Sequence, residues 1–237
     1  MLVNRTPVSR LAVAAELVPP GSRVADIGTD HGLLPRILLS SGRASFCVAS
    51  ERSAELLPPP PPPSVESRGV EWRSGDGLTV LRPEDRIDVV TLTGMGARTI
   101  SRLLDRSVRE PLEVRRFVLQ PQTEELRLRR WLVAQGLGIV DERLVVERRR
   151  FYVVLAAEPG AATALFDHPS LSPQELLEAG PVLVRSADPR VRDYWTRESA
   201  RLEGILAEAP EGPGKRAATR RAATARRIVE ALPRDVA

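Results

Sequence analysis

The sequence is poor in the residues from which covalent cross-links and metal sites are built. It contains one cysteine, Cys47, and two histidines, His31 and His168. A lone cysteine excludes an intrachain disulfide and a zinc site made of cysteines, and two histidines do not make a histidine-rich metal site. We therefore expect neither a disulfide framework nor a bound metal.

Long hydrophobic runs are also missing. No apolar stretch approaches the roughly 20 residues that a membrane-spanning helix needs. The first residues carry charges on both sides of a short apolar stretch, which is not the pattern of a secretory signal. The 237 residues, 42% hydrophobic and 28% charged, are typical of a globular protein with a sizeable core. These features predict a cytoplasmic protein with no membrane anchor, and we expect it to be a monomer.

Lysine is almost absent. Lys215 is the single lysine among 35 basic residues, which face 31 acidic residues and give a net charge of +4. A biased genome composition is one explanation for such an excess of arginine. Phosphate binding is the other, because the planar guanidinium group matches two phosphate oxygens at once. The composition alone leaves both explanations open.

Strands and helices alternate through the first two thirds of the chain. Two later apolar runs, Gly138–Val146 and Phe151–Ala157, flank a polar segment and predict an antiparallel hairpin. Together these patterns predict an α/β fold, a doubly wound sheet with an antiparallel edge. The predicted strands before the hairpin are 23–27, 45–50, 70–73, 88–93 and 116–119, and the predicted helices are 8–18, 33–40, 98–105 and 124–135.

The last third has a different character. After Glu158-Pro159-Gly160 the strand patterns stop, and helices are predicted to begin at Ser172-Pro173, at Asp188-Pro189 and after a break at 209–214. We therefore predict two domains, a Rossmann-like α/β domain at 1–159 and a small helical, coiled-coil-like domain at 160–237.

A run of six prolines, Pro58–Pro63, interrupts the α/β pattern where a crossover helix should lie. Proline cannot continue a helix, and such a run favours polyproline II. The sequence predicts a short helical turn at Ser53–Leu57 followed by an extended loop. A binding site for a partner is the alternative interpretation of this loop.

An acidic glycine turn follows the first strand. Residues 26–32 read Asp-Ile-Gly-Thr-Asp-His-Gly and open a helix, which is where doubly wound folds bind a nucleotide-like ligand. A dinucleotide would favour G-x-G-x-x-G, whose backbone N–H groups hold a pyrophosphate. Asp30 would repel a pyrophosphate, whereas Asp30 and Asp26 suit a cation. S-adenosylmethionine has a sulfonium and an amine but no phosphate, so the turn predicts this cofactor rather than NAD or ATP.

Other candidate residues lie at the ends of later strands. Glu51 follows the turn by about 20 residues, the spacing of a carboxylate that binds ribose hydroxyls. Asp76, in Gly75-Asp76-Gly77, could accept the exocyclic amine of the cofactor's adenine, although Asp-Gly pairs also form plain turns. Gly94-Met95-Gly96 ends the fourth strand. Its glycines either let a planar methyl acceptor approach the backbone or only form a tight turn between strand and helix.

These motifs, in this order and spacing, resemble the bacterial tRNA (adenine-22-N1)-methyltransferase family. The matching segments are DIGTDHGLLP, SGDGL, TGMGA, LQPQ…LRRWL and FYVVLA. The resemblance covers roughly residues 8–159 in detail, and the last third, with DYWTRESARLEGIL, is more loosely similar to the helical tail of that family. It implies a class I Rossmann-like methyltransferase that uses S-adenosylmethionine to methylate N1 of adenosine 22 in tRNA.

The resemblance also implies roles for individual residues. The chain departs from the family pattern at three of the motif positions: Glu51 replaces the usual aspartate, Ala97 replaces a glycine, and Gln122 replaces an asparagine. The residues placed near the transferred methyl group or the target base, as catalytic candidates, are Asp30, Gln120 and Pro121. The residues placed at the cofactor are Asp26, Gly28, Asp30, His31, Glu51, Asp76, Gly77 and Met95.

The expected chemistry needs no strong base, because adenine N1 carries no proton. Catalysis would come mostly from alignment, with the Asp30 carboxylate near the exocyclic amine to stabilise the developing charge. Two other functions also fit the sequence: methylation of another RNA or of a small molecule, and RNA binding by a relative that has lost catalysis. Retention of Asp26, Asp30 and His31 speaks against the last of these.

A whole tRNA must be held mainly through its phosphates. The hairpin offers Arg148, Arg149 and Arg150 for such contacts. The last helix offers a second group of arginines, namely Arg216, Arg220, Arg221, Arg226 and Arg227. The alternative interpretation is that this second group only forms a solvated basic face.

Overall fold

The computed structural model of the protein describes residues 9–57, 69–109, 113–160 and 168–233. The predicted extended loop at Pro58–Pro63 lies outside these residues, whereas the predicted turn before it is present as a 3₁₀ helix at Ala54–Leu56. Residue contacts divide the chain into two compact units, Met1–Ala161 and Ala162–Ala237.

Within the described residues, the first unit contains a seven-stranded sheet with the order β3-β2-β1-β4-β5-β7-β6. β1 to β5 are parallel, and β7 runs antiparallel to both β5 and β6. The predicted fold class, a Rossmann-like sheet with an antiparallel hairpin and a helical appendage, is confirmed. The strands are β1 (Ser22–Ile27), β2 (Ala44–Glu51), β3 (Val70–Ser74), β4 (Val89–Met95), β5 (Arg116–Pro121), β6 (Leu137–Glu147) and β7 (Arg150–Pro159).

Four α-helices found among the described residues of the first unit cover the sheet. The first two pack on each other, as do the last two. Right-handed crossovers place the helices that follow β1 and β4 on opposite faces, because the strand order runs in opposite directions from these two strands. A crevice therefore opens at the carboxyl ends of β1 and β4, where such folds bind ligands. The helices are α1 (Arg10–Glu16), α2 (Leu33–Ser40), α3 (Ala97–Arg109) and α4 (Glu125–Ala134).

The fourth strand runs further than the sequence predicts. We expected it to end at Thr93, but β4 reaches Met95 through a register shift against β5. Gly94 has a φ of 75° and donates its N–H to Oε1 of Gln120 at 3.1 Å. A glycine at an irregularity of this kind lets the strand bend and resume its pairing. The extension places Met95 at the carboxyl edge of the sheet.

The second unit is helical within its described residues. It contains α5 (Pro173–Ala179), α6 (Pro189–Glu208) and α7 (Pro213–Ala231), and α6 packs against α7. Trp195 is buried and donates its indole N–H to the carbonyl of Ala179 at 3.2 Å, which ties α6 to the end of α5. Among the described residues, no helix combines the length and apolar character that crossing a bilayer requires.

A buried ion pair fixes the segment that follows β3. Arg73 donates to Asp85 through two nitrogens, at 2.6 and 2.7 Å, and it also donates to the carbonyl of Val80 at 2.7 Å. The guanidinium holds the pKa of Asp85 below its usual range. The pair therefore stabilises the fold above the unfolded-state pKa, and this contribution is lost as the pH falls through the folded-state value. It anchors both ends of the segment that contains Asp76 and Gly77.

Replacing Asp85 with alanine removes two hydrogen bonds from a buried guanidinium and leaves it the partly exposed Glu71 as an acidic partner. We expect Asp85→Ala to lower the free energy of unfolding by about 3 kcal/mol, the lower end of the range for a broken buried pair. The control is Arg98→Ala, which breaks the exposed pair between Arg98 and Glu124 and should cost about 0–1 kcal/mol. Urea unfolding followed by circular dichroism measures both values, and equal losses in the two variants would contradict this role of the buried pair.

Candidate active site

The glycine turn is anchored to the neighbouring strand by two backbone hydrogen bonds. Gly28 and Thr29 both donate their N–H groups to the carbonyl of Ser50, at 2.8 and 3.0 Å. Asp30 follows in the left-handed region with a φ of 51°, and Gly32 begins α2 with a φ of 66°. The turn therefore holds a fixed conformation over the carboxyl ends of β1 and β2, as the motif predicts.

Two glycines let side chains from other strands reach the backbone of the turn. A Cβ on Gly28 would lie 2.0 Å from Cε of Met95, and a Cβ on Gly32 would lie 2.3 Å from Cη2 of Trp72. Real Cβ atoms do not approach this closely, so any larger residue would displace Met95 or Trp72. The structure thus brings Met95, predicted as a site residue, against Gly28.

Asp26 is the buried charge of the site. It is the penultimate residue of β1 and has an exposed fraction of 2%, and Thr91 donates its hydroxyl to Oδ1 of Asp26 at 2.6 Å. Burial raises the pKa of Asp26 to about 6, although the Thr91 hydrogen bond acts in the opposite direction. The surroundings disfavour ionisation of this carboxyl because they solvate its charged form poorly. A cation bound nearby would therefore be strongly attracted to the ionised form.

Glu51 connects the glycine turn to the end of β2. Its Oε2 accepts the N–H of Asp30 at 3.4 Å, and its Oε1 accepts the N–H of Arg52 at 2.8 Å. The side chains of Asp30 and His31 are 70% and 79% exposed, and the imidazole Nε2 lies 3.8 Å from Oδ1 of Asp30. Three of the predicted residues thus lie together at the edge of the crevice, with Asp30 and His31 directed to solvent.

Asp76 and Gly77 lie beside a pocket of about 130 Å³ that is lined by Arg52, Asp76, Arg102 and Leu103. Asp76 is exposed and begins the 3₁₀ helix Gly77–Val80. A Cβ on Gly77 would lie 2.5 Å from Cδ2 of Leu103, and its φ of 62° also favours glycine. Asp76 thus borders a concave surface at the end of β3.

Gln120 does not present its amide to the crevice. It is fully buried, its Oε1 accepts the N–H of Gly94, and its Nε2 donates to the carbonyl of Pro121 at 2.7 Å. Pro121 is also buried. A Cβ built on Gly94 would lie 3.9 Å from Nε2 of Gln122. Ala97, the other departure from the family pattern, is fully buried in the first turn of α3.

The candidate arginines for RNA binding fall into two classes. In α7, Arg226 pairs with Glu203 at 3.3 Å and Arg227 pairs with Glu175. The remaining candidates are exposed and form no ion pair with the described residues. They are Arg216, Arg220 and Arg221 in α7 and Arg148, Arg149 and Arg150 in the hairpin.

Sequence reasoning missed several residues that shape this site. Thr91 lies within the apolar run DVVTLT, and a hydroxyl in a strand buried on both faces is a signal that it serves a polar partner. Trp72 packs on Gly32, and its indole Nε1 is buried with no hydrogen-bond partner among the described residues. Arg52 and Arg102 line the pocket next to Asp76, and no local motif marks them. The described residues contain no cluster of side chains suited to a metal ion.

The sequence matches a known family over most of its length. A family model described as TrmK, tRNA (adenine(22)-N(1))-methyltransferase, matches residues 24–232. The tRNA (adenine(22)-N(1))-methyltransferase of Bacillus subtilis (strain 168) is 32% identical over 200 residues, which cover 83% of this chain and 82% of that protein.

Solved structures agree with this match. The B. subtilis M1A22 tRNA methyltransferase TrmK has a TM-score of 0.78 at 25% identity, over 94% of this chain and 99% of that one. Streptococcus pneumoniae Sp1610, in complex with S-adenosyl-L-methionine, has a TM-score of 0.77 at 26% identity, over 94% of this chain and 100% of that one. The chain therefore belongs to the TrmK family of tRNA (adenine(22)-N(1))-methyltransferases.

Proposed function

We propose that this protein uses S-adenosylmethionine to methylate N1 of adenosine 22 in tRNA, and that Asp26, Asp30 and Glu51 form the acidic part of its cofactor site. The observation that carries the proposal is the acidic glycine turn at the reversal of strand order, in a chain of this family. Carboxylates at that turn suit a cationic cofactor and disfavour a pyrophosphate. Methylation of another RNA or of a small molecule, and RNA binding without catalysis, have no such family support.

The parts of the cofactor are assigned to the successive strand ends that line the crevice. Glu51 holds the ribose hydroxyls, since its carboxylate is oriented by the N–H groups of Asp30 and Arg52. Asp76 and Leu103 hold the adenine in the pocket after β3. The turn from Gly28 to His31 lies at the methionine end, where Met95 closes on Gly28 and the Asp26 carboxylate lies beneath.

Asp26 should make cofactor binding depend on pH. A cation beside this carboxylate stabilises its ionised form, so S-adenosylmethionine binding should lower the pKa of Asp26 from about 6. The affinity should therefore rise by about 10-fold between pH 5 and pH 7 and then level off. Asp26→Asn keeps the size of the side chain and removes the charge, so it should bind more weakly and without this pH dependence. Calorimetric titration of both proteins with S-adenosylmethionine tests this, and parallel pH profiles would exclude Asp26 from the cofactor site.

The methyl acceptor approaches from the side of β4 and β5. When bound, S-adenosylmethionine would supply a methyl group to the ring-plane lone pair of adenine N1; the N–C bond forms as the bond from carbon to sulfur breaks, and S-adenosylhomocysteine leaves. The protein must extract the base from the helical stack and align N1, at a cost of a few kcal/mol for unstacking. Methylation makes the base cationic, and the exposed Asp30 carboxylate is assigned to its exocyclic amine, where it stabilises this charge and can accept a proton.

Gln120 is better described as a positioning residue. Its buried amide joins the N–H of Gly94 to the carbonyl of Pro121. It thereby fixes the ends of β4 and β5, between which the target base must fit. Pro121, buried beside it, gives this edge a rigid backbone.

Removing the Asp30 charge should slow the chemical step. Asp30 has a positive φ, which asparagine tolerates and alanine does not, so Asp30→Asn isolates the charge from the backbone. We expect N1-methyladenosine to form about 10²-fold more slowly in single turnovers at saturating cofactor and tRNA. The control is Glu84→Gln, which removes an exposed carboxylate from the turn before β4, outside the candidate site. An unchanged rate in Asp30→Asn would remove Asp30 from the catalytic residues.

The reaction itself is tested with labelled S-adenosylmethionine and total tRNA, followed by mapping of the modified nucleoside. Label at N1 of adenosine 22 supports the proposal. Label in another RNA or in a small molecule favours the second function, and cofactor binding without methyl transfer favours the third.

The arginine-rich face of α7 is proposed as one contact to the tRNA backbone. Arg216 and Arg220 are four residues apart and therefore neighbours on one face of the helix, and neither is engaged by a carboxylate of the described residues. Arg226 and Arg227 are engaged by Glu203 and Glu175. An arginine that must leave a carboxylate gains less from a phosphate than one that is unpaired.

A pair of variants with equal loss of charge tests this contact. Arg216→Gln/Arg220→Gln should weaken tRNA binding roughly 10-fold and lower the log–log salt slope by roughly 1–2. Arg226→Gln/Arg227→Gln should change the slope less, although it breaks two ion pairs within the second unit. Cofactor affinity should not change, because the glycine turn belongs to the first unit. Equal slopes for wild type and both variants would leave α7 as a solvated basic helix.

The protein is further proposed to act as a monomer in the cytoplasm, where its tRNA substrate is found. The candidate site supports a monomer because all of its residues belong to the first unit. Analytical ultracentrifugation should then give a mass near 26.0 kDa.

A further inference from the structure

We infer that the tip of the β6–β7 hairpin, formed by Arg148 and Arg149, binds tRNA phosphates next to the nucleotide that is methylated. The inference rests on the proposed function and adds to it the element of the catalytic unit that holds the tRNA backbone. Three independent observations carry it: the position of the tip, its backbone conformation and the absence of competing carboxylates.

The strand register places the tip at the same edge of the sheet as the candidate site. β7 pairs antiparallel with β5 at Phe117 with Ala157 and at Leu119 with Leu155. Continued for two residues, this register sets Val153 level with Pro121, so Arg150 lies three residues beyond the end of β5. At about 3.3 Å per residue, the tip extends roughly 10 Å past the carboxyl edge. Nucleotides that flank a base bound at this edge would lie within its reach.

The backbone of the tip is unfavourable for the residues that occupy it. Glu147 pairs with Arg150 across a two-residue loop, and Arg148 and Arg149 have φ of 49° and 66°. Positive φ at both positions defines a type I′ turn, for which Asn-Gly and Asp-Gly are strongly preferred. Arginine has a Cβ and none of the local hydrogen bonding that lets asparagine adopt this conformation. A turn selected only to join two strands would not need these side chains.

The charge of the tip is not neutralised locally. Arg148, Arg149 and Arg150 are exposed and form no ion pair with the described residues. The adjacent carboxylate, Glu147, is engaged by Arg10 of α1 at 2.5 Å. The same guanidinium lies 5.4 Å from the centre of the Tyr152 ring on the other strand. Arg10 therefore holds both strands of the hairpin next to the tip, and the three guanidinium groups of the tip form no ion pair with the described residues.

The test uses a substitution that improves the turn while it removes the proposed contact. Arg148→Asn/Arg149→Gly places the preferred dipeptide in the type I′ positions. We expect its Tm to rise by roughly 2–6 °C. Its Kd for tRNA should rise roughly 10-fold near physiological salt, and the log–log salt slope should fall by roughly 1–2. Affinity for S-adenosylmethionine and the single-turnover rate at saturating tRNA should not change. Arg148→Lys/Arg149→Lys keeps the charges and should retain most of the affinity.

A matched control removes two arginines from the opposite edge of the sheet. Arg86 and Arg115 precede β4 and β5, are exposed and have no ion pair among the described residues, and Arg86 also has a positive φ of 48°. Arg86→Gly/Arg115→Asn should leave tRNA affinity within about twofold of wild type. An equal loss in this control, or unchanged affinity and slope in Arg148→Asn/Arg149→Gly, would overturn the inference. Failure of the wild-type protein to methylate tRNA would instead overturn the proposed function, and is measured first.

Discussion

The candidate site depends on two places where a side chain is absent. At Gly28 and Gly32 the backbone has positive φ, and at both a Cβ would collide with a neighbour, Met95 at the first and Trp72 at the second. Each glycine therefore satisfies a conformational and a steric requirement at the same residue. Because of these contacts, strands β3 and β4 close directly on the turn after β1. The positions of Asp30 and Glu51 follow, since the N–H of Asp30 bonds to the Glu51 carboxylate.

The charges of the protein divide between structural pairs and free groups. Arg73 with Asp85 and Arg129 with Glu142 are buried pairs within the first unit, and they fix segments rather than bind ligands. Asp26, in contrast, is buried with no basic partner among the described residues, and its pKa rises to about 6. Burial of a carboxyl in this way disfavours its charge until a cation is supplied. A ligand with a sulfonium and an amine meets this need, whereas a phosphate does not.

The sequence predicted the sheet because buried strands depend on local patterns, and the candidate site residues lie in the turns and at the ends of those strands. The seven strands lie within two residues of their predicted ends, since apolar runs bounded by glycine and proline mark buried strands directly. The role of Gln120 was not predictable, because whether its amide faces the crevice or the backbone of Gly94 is decided by the register of β4 against β5. Two further contacts join distant parts of the chain, that of Trp72 with Gly32 and that of Arg10 with Glu147. No local sequence motif predicts either contact.

The functional significance of the arginine excess depends on which arginines form ion pairs. A net charge of +4 on 237 residues gives a weak overall field, so attraction to RNA must come from local groups of unpaired cations. In α7, two of the five arginines are engaged by Glu203 and Glu175, whereas the three in the hairpin form no ion pair with the part of the chain that the structure describes. Phosphate contacts carry no sequence information, but they fix the register of the nucleic acid. A rigid cationic tip at the carboxyl edge of the sheet would therefore contribute to selecting which adenosine enters the crevice.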